Sequence, residues 1–195
     1  MTEEKTNLPR MRTIREVAKL GILSENCLRQ MQKQGKLPCM FVLMCAAMGP
    51  KGMIYGQELD LKYETEQADK EQLAMIHRNK TGQLISLCGE LGSIGADLTV
   101  SQKNAIKVFF ANAGLVFQIV DDILDVESSE EELGKPIGSD AENGKSTFIT
   151  LYGLEESKRK VEQLTEEANT LLYNEFGEKA ACLIEYTSKL AHRRK

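Results

Sequence analysis

The segment from Ser101 to Val126 constrains this chain more than any other. Read at helical spacing it is apolar on most sides, from Ile106 and Phe109 through Leu115, Phe117 and Ile119 to Leu124. It is therefore expected as one long, largely buried helix with Ser101 as its cap. It ends in Asp121-Asp122-Ile123-Leu124-Asp125. Asp121 and Asp125 fall one turn apart on one face, with Asp122 beside them. Carboxylates this close repel one another, and apolar surroundings make their ionisation costlier still. A divalent cation answers both problems, and Mg²⁺ takes one or two carboxylates and leaves its remaining positions to water and phosphate. A solvated acidic helix end would explain Asp125 and Glu127. It would not explain a carboxylate pair directly behind Leu115-Val116-Phe117-Gln118-Ile119-Val120. Asp121, Asp122 and Asp125 are the candidate metal ligands.

The rest of the chain reads as helix too. Four prolines in 195 residues and few β-branched runs leave little room for strands. Helices are expected at Thr13–Gly21, Ser24–Gly35, Met53–Tyr63, Glu66–Gly95, Ser146–Gly153, Glu155–Glu175 and Glu178–Arg193. Pro38 disfavours continued helix after Lys36-Leu37, and Met48-Gly49-Pro50-Lys51-Gly52 reads as a linker. Glu127–Asn143, acidic and rich in Gly, reads as a loop. An apolar fraction of 42% supports a real core and excludes disordered or low-complexity chains. The five cysteines, Cys27, Cys39, Cys45, Cys88 and Cys182, form no CxxC pair, so buried free thiols are expected. Met40–Met48 and Ala111–Val120, the lowest-charge stretches, are each too short to span about 30 Å of hydrocarbon. Met1–Leu20 carries no leader pattern. The expectation is a cytoplasmic protein without membrane insertion.

Basic residues surround the acidic cluster in sequence. Lys80-Thr81 interrupts an apolar helical face, Lys135 lies in Gly134-Lys135-Pro136, and Lys145 lies in Gly144-Lys145-Ser146-Thr147. A lysine is a compact point charge, and a neighbouring Gly lets the backbone approach, which together suit an anion bridged to a metal. Singly, each lysine is more ordinarily a surface charge; their joint placement around the aspartates distinguishes them.

At these motifs the chain resembles a family. Gly52 to Leu61, His77 to Gly82, Phe117–Val126, Leu133–Asp140 and Gly144 to Thr147 occur in the order found in the C-terminal half of trans-isoprenyl diphosphate synthases. The likeness covers about Met44 to Lys195 and is strongest to bacterial short-chain farnesyl or geranyl diphosphate synthases. It implies an all-α, partial isoprenoid-synthase bundle that condenses isopentenyl diphosphate with an allylic diphosphate. Asp121, Asp122 and Asp125 match the second aspartate-rich motif, which holds Mg²⁺ on the allylic diphosphate. Lys80, Lys135 and Lys145 match diphosphate-binding lysines. Thr81 and Gln118 match polar residues that place the allylic carbon and guide proton loss. Gln57 and Asp60 match the motif on a helix facing the cavity. The same resemblance implies a homodimer or a partner synthase chain.

The chain also departs from that pattern. No DDxxD or DDxxxxD precedes Asp121, so the family's first aspartate-rich motif is absent from this sequence. Impaired turnover, or a non-catalytic subunit or remnant, follows as an expectation. Residues 1–43 are set apart by charge. Residues 1–51 carry nine Lys or Arg against four Glu, a net +5, while the remaining residues carry sixteen against twenty-five, a net −9. Thr13 to Arg29 and Gly35 to Pro38 are similar to the helix-turn-helix of excisionase or MerR-like modules, in which the second helix enters the major groove. Arg10, Arg12, Arg15, Arg29, Lys33 and Lys36 would then contact phosphates of a nucleic acid through residues 10–38; a basic two-helix appendage packed on the bundle is the equal alternative. The division expected is 1–43, a basic helix-turn-helix-like segment, and 44–195, half of a synthase bundle.

Overall fold

The computed structural model describes residues 25–127 and 145–193, and every regular element among them is helical. The chain divides into two compact units, Met1–Phe41 and Val42–Lys195. In the first, α1 (Glu25–Lys33) ends at Gly35, whose φ of +68° a residue with a Cβ would adopt only under strain. Arg29 and Lys33 are exposed and Met31 is buried. Arg10, Arg12, Arg15 and the first expected helix lie outside the described residues.

Helix α2 (Lys36–Met48) crosses the boundary between the units. Pro38 does not stop it, because Pro38 sits in the first turn. There the backbone N–H groups have no intrahelical acceptor, so proline removes no bond. Phe41 and Val42 are 68% and 64% exposed, and Met44 and Met48 are also open. With α3 (Met53–Lys62) this helix makes a 27-residue stretch that contains an 18-residue window of mean hydropathy 1.5, of which 11% is buried. By length and composition that stretch exceeds what was expected of Met40–Met48 alone. A turn over Gly49-Pro50-Lys51-Gly52 splits it into two helices.

The second unit places its next helix later than the apolar pattern suggests. Helix α4 (Lys70–His77) begins after Asp69, not at Glu66. The cause is a reciprocal cap: Gln72 N donates to Asp69 Oδ1 at 2.9 Å, and Asp69 N donates to Gln72 Oε1 at 2.8 Å. A π turn, Arg78–Gly82, joins α4 to α5 (Gln83–Ile94). Helix α6 (Val100–Glu127) is long and buried as expected, but its cap is Thr99 and not Ser101. Thr99 Oγ1 accepts from Gln102 N at 3.2 Å while Gln102 Oε1 accepts from Thr99 N at 3.1 Å. Ser101 instead donates to the Glu175 carboxylate.

Helix α6 is the spine of this unit. It packs on α5, the π turn, α8 (Leu154–Phe176) and α9 (Ala181–Ala191). Val116, Ile119, Val120, Val161, Leu164 and Leu190 form one core cluster, and Phe109, Ala168, Leu172 and Ala180 another. Burying a Val, Leu, Ile or Phe side chain stabilises by roughly 1.5–3 kcal/mol. The short α7 (Phe148–Tyr152) starts on a Thr147–Thr150 capping box beside the acidic end of α6. All five cysteines are free thiols, but they are not buried: Cys39, Cys45, Cys88 and Cys182 are exposed. The apolar clusters are filled by Leu, Ile, Val and Phe, which leaves the thiols on outer helix faces.

Candidate functional site

A cavity of about 380 Å³ opens where α3, α4, the π turn, α6 and the start of α7 meet. Its charged and polar lining comprises Asp60, His77, Lys80, Thr81, Gln118, Asp121, Asp122, Lys145, Ser146 and Thr147. Tyr63, Leu73, Ile76, Phe117 and Leu124 supply its apolar walls.

One pole of the cavity is cationic. Asp60 is only 5% exposed, and the two ammonium groups share its carboxylate. Lys80 Nζ donates to Oδ2, and Lys145 Nζ lies 3.3 Å from Oδ1. Burial alone would raise the Asp60 pKa, yet the hydrogen bonds and charges of Lys80 and Lys145 outweigh it and hold the carboxyl below its usual range. His77, 6% exposed, is pushed down to about 4. Desolvation is the main cause; Asp60 opposes it, and Lys145 and Lys80 reinforce it. The ring is therefore neutral at pH 7, with Nδ1 buried and lacking a hydrogen-bond partner among the described residues.

The other pole is anionic. Asp121 and Asp122 leave the end of α6 on the cavity side, one turn beyond Gln118. Asp122 Oδ2 accepts from Phe148 N at 2.6 Å, which ties the acidic end of α6 to the first turn of α7. Asp121 Oδ1 pairs with Arg193, whose guanidinium also lies 4.3 Å from the Phe117 ring centroid and donates to the Phe117 carbonyl at 3.3 Å. Two ammonium groups facing two carboxylates suit an anion at the first pole that shares a hard cation with the second.

Of the residues singled out from sequence, Lys80, Thr81, Gln118, Asp60, Asp121, Asp122 and Lys145 line this one cavity. Asp125 does not: it is 3% exposed and outside the lining. No group of three His, Cys, Asp or Glu side chains is arranged to hold a metal among the described residues. Gln57 is exposed, since it follows Gly56 by about 100° of helical rotation and so leaves the face that carries Asp60. Lys135 lies outside the described residues. His77, Ser146 and Arg193 were not singled out as site residues. His77 and Ser146 stood inside the quoted motifs, and Arg193 stood in the basic run His192-Arg193-Arg194-Lys195.

The chain is similar to known proteins. A polyprenyl synthetase family model matches residues 19–182, beginning inside the segment that charge set apart. Farnesyl diphosphate synthase of Bacillus subtilis is 40% identical over 129 residues, 66% of this chain and 44% of the relative. Geranylgeranyl pyrophosphate synthase 3 of Arabidopsis thaliana is 40% identical over 155 residues, 78% of this chain and 43% of the relative. A crystal structure of geranyltransferase from Helicobacter pylori, complexed with magnesium and isoprenyl diphosphate, superposes with a TM-score of 0.65 at 28% identity. That alignment covers 90% of this chain and 54% of the other. The chain thus spans less than half the length of the curated relatives above. With the family model covering most of its residues, this chain belongs to the polyprenyl synthetase family.

Proposed function

We propose that this chain carries the allylic-diphosphate half-site of a Mg²⁺-dependent prenyltransferase, which joins isopentenyl diphosphate to an allylic diphosphate. The observation that carries this reading is the convergence of Lys80 and Lys145 with Asp121 and Asp122 in one cavity. Two cavity-lining carboxylates fit Mg²⁺, which takes few protein ligands when phosphate oxygens complete its shell. Asp121 and Asp122 would hold it, and when bound it would supply positive charge to the diphosphate. Lys80 and Lys145 stabilise the negative charge that grows on the diphosphate as its bond to the allylic carbon breaks. Thr81 and Gln118 present oxygens to the carbon end of the substrate. Leu73, Ile76, Phe117 and Leu124 keep water from the electron-poor carbon.

A second reading, diphosphate binding without turnover, is favoured by the cavity lining, in which the described carboxylates other than the lysine-paired Asp60 are Asp121 and Asp122 of α6. Removing half of a metal clamp costs orders of magnitude in rate, because positioning and charge stabilisation are lost together. Two measurements test the pair. Calorimetric titration of pyrophosphate with Mg²⁺ should show binding to wild type and at least tenfold weaker binding to Asp121→Ala. Equal binding by both proteins would refute the site. A product assay with isopentenyl and allylic diphosphates then separates an enzyme from a binding subunit, and turnover at ordinary rates would overturn the second reading.

A further inference from the structure

Gly56 lies on the face of α3 that carries Asp60, one helical turn earlier. Its backbone has no positive φ, so conformational freedom does not explain a glycine there. Alanine would suit the helix better. Close approach does explain it. A Cβ built at Gly56 falls 2.6 Å from both Asn79 C and Lys80 Cα, and closer still to Lys80 N. These are backbone atoms of the π turn, so no side-chain rotation relieves the overlap. The turn is also held at its far end, where a Cβ on Gly114 of α6 would lie 3.1 Å from Gly82 Cα. Asn79 is buried and donates to Met75 O at 2.8 Å.

We infer that Gly56 is a positioning residue: its bare backbone sets α3 against the π turn at the separation at which the Asp60 carboxylate holds both Lys80 and Lys145. The inference rests on the diphosphate reading of this cavity. An alanine at Gly56 forces α3 and the π turn apart by about 1 Å before ordinary carbon contacts are restored. Asp60 is carried with α3 and Lys80 with the turn, so that displacement falls on the ion pair. Asp60→Glu perturbs the same spacing from the other side by adding one methylene, and it brings no backbone overlap.

Pyrophosphate titration with Mg²⁺ on the full chain tests this, alongside circular dichroism for helical content. The series is wild type, Gly56→Ala, Asp60→Glu, their double variant and Gly92→Ala. Gly92 has open space where its Cβ would be. The expected result is at least a tenfold loss of affinity in each single variant with helical content kept, and no change for Gly92→Ala. The double variant should bind no worse than the weaker single, since both changes spoil one distance. Gly56→Ala within twofold of wild type would overturn the inference, as would fully additive losses, which mark a merely structural role. If Gly56→Ala does not fold, wild-type affinity in Asp60→Glu overturns it instead. A wild type that binds no pyrophosphate defeats the diphosphate reading together with this inference. Binding abolished by Asp121→Ala but untouched by Gly56→Ala defeats the inference alone.

Discussion

His77 is buried close to two ammonium groups and a carboxylate, and its charge state enters the stability of the fold. Its pKa is lowered to about 4 from an ordinary 6.5, so the unfolded chain takes up its proton first as pH falls. The stabilising effect of keeping the ring neutral is complete above pH 6.5 and is lost as pH drops towards 4. A difference of this size corresponds to about 3 kcal/mol. Denaturant unfolding of wild type and His77→Gln between pH 7 and 4 should show the two stabilities converging by an amount of that order. Parallel profiles would mean that the histidine is not neutral in the folded state. The shifted Asp60 adds its own loss only at lower pH, since its folded pKa lies below 3.8.

Helix boundaries here are decided by reciprocal caps more than by apolar periodicity. Thr99→Ala removes the acceptor for Gln102 N and should cost about 1 kcal/mol, which lowers the melting temperature by about 2–4 °C. Ser101→Ala, by contrast, loses only an exposed contact and should change stability by less than half that amount. An equal effect of the two would return the cap to Ser101. The Asp69–Gln72 and Thr99–Gln102 pairs both stood in the sequence, at the spacing of a capping box. The apolar pattern, which continues past each cap, hid them. The buried length of α6 was legible because its apolar residues cover most sides. The π turn was not, since Lys80-Thr81 on an apolar face reads alike for α and π windings. Asp121 and Asp122 were legible as a pair. The different burial of Asp125 depends on what packs around its turn of α6, and residue types at helical spacing do not record that.

For the molecule as a whole, the site lies between separate helices, so a ligand there should brace the second unit. At a hundredfold excess over its Kd, a ligand specific to the folded state stabilises by about 2.7 kcal/mol. For a chain of this size that is a rise of about 5–10 °C in melting temperature. Mg²⁺ with pyrophosphate should produce such a rise, and either component alone should produce much less. Equal shifts from pyrophosphate with and without Mg²⁺ would confine binding to the Lys80–Lys145 pole and leave Asp121 and Asp122 without a metal role.

The π turn over Arg78–Gly82 has a consequence that is best put in genetic terms. A π winding holds one residue more per turn than an α-helix, so the turn behaves as a codon inserted into an otherwise regular α4–α5 rod. Deleting any one codon from 78 to 82 would let an unbroken α-helix close. Five π residues turn through about the same angle as four α residues, so α5 would keep its face relative to α4. Within the turn, one of the five positions that bring Lys80 and Thr81 to the cavity would be gone. A change of reading length by a single codon would therefore be absorbed by the α4–α5 rod, and its cost would fall on the cavity-facing residues of the turn itself.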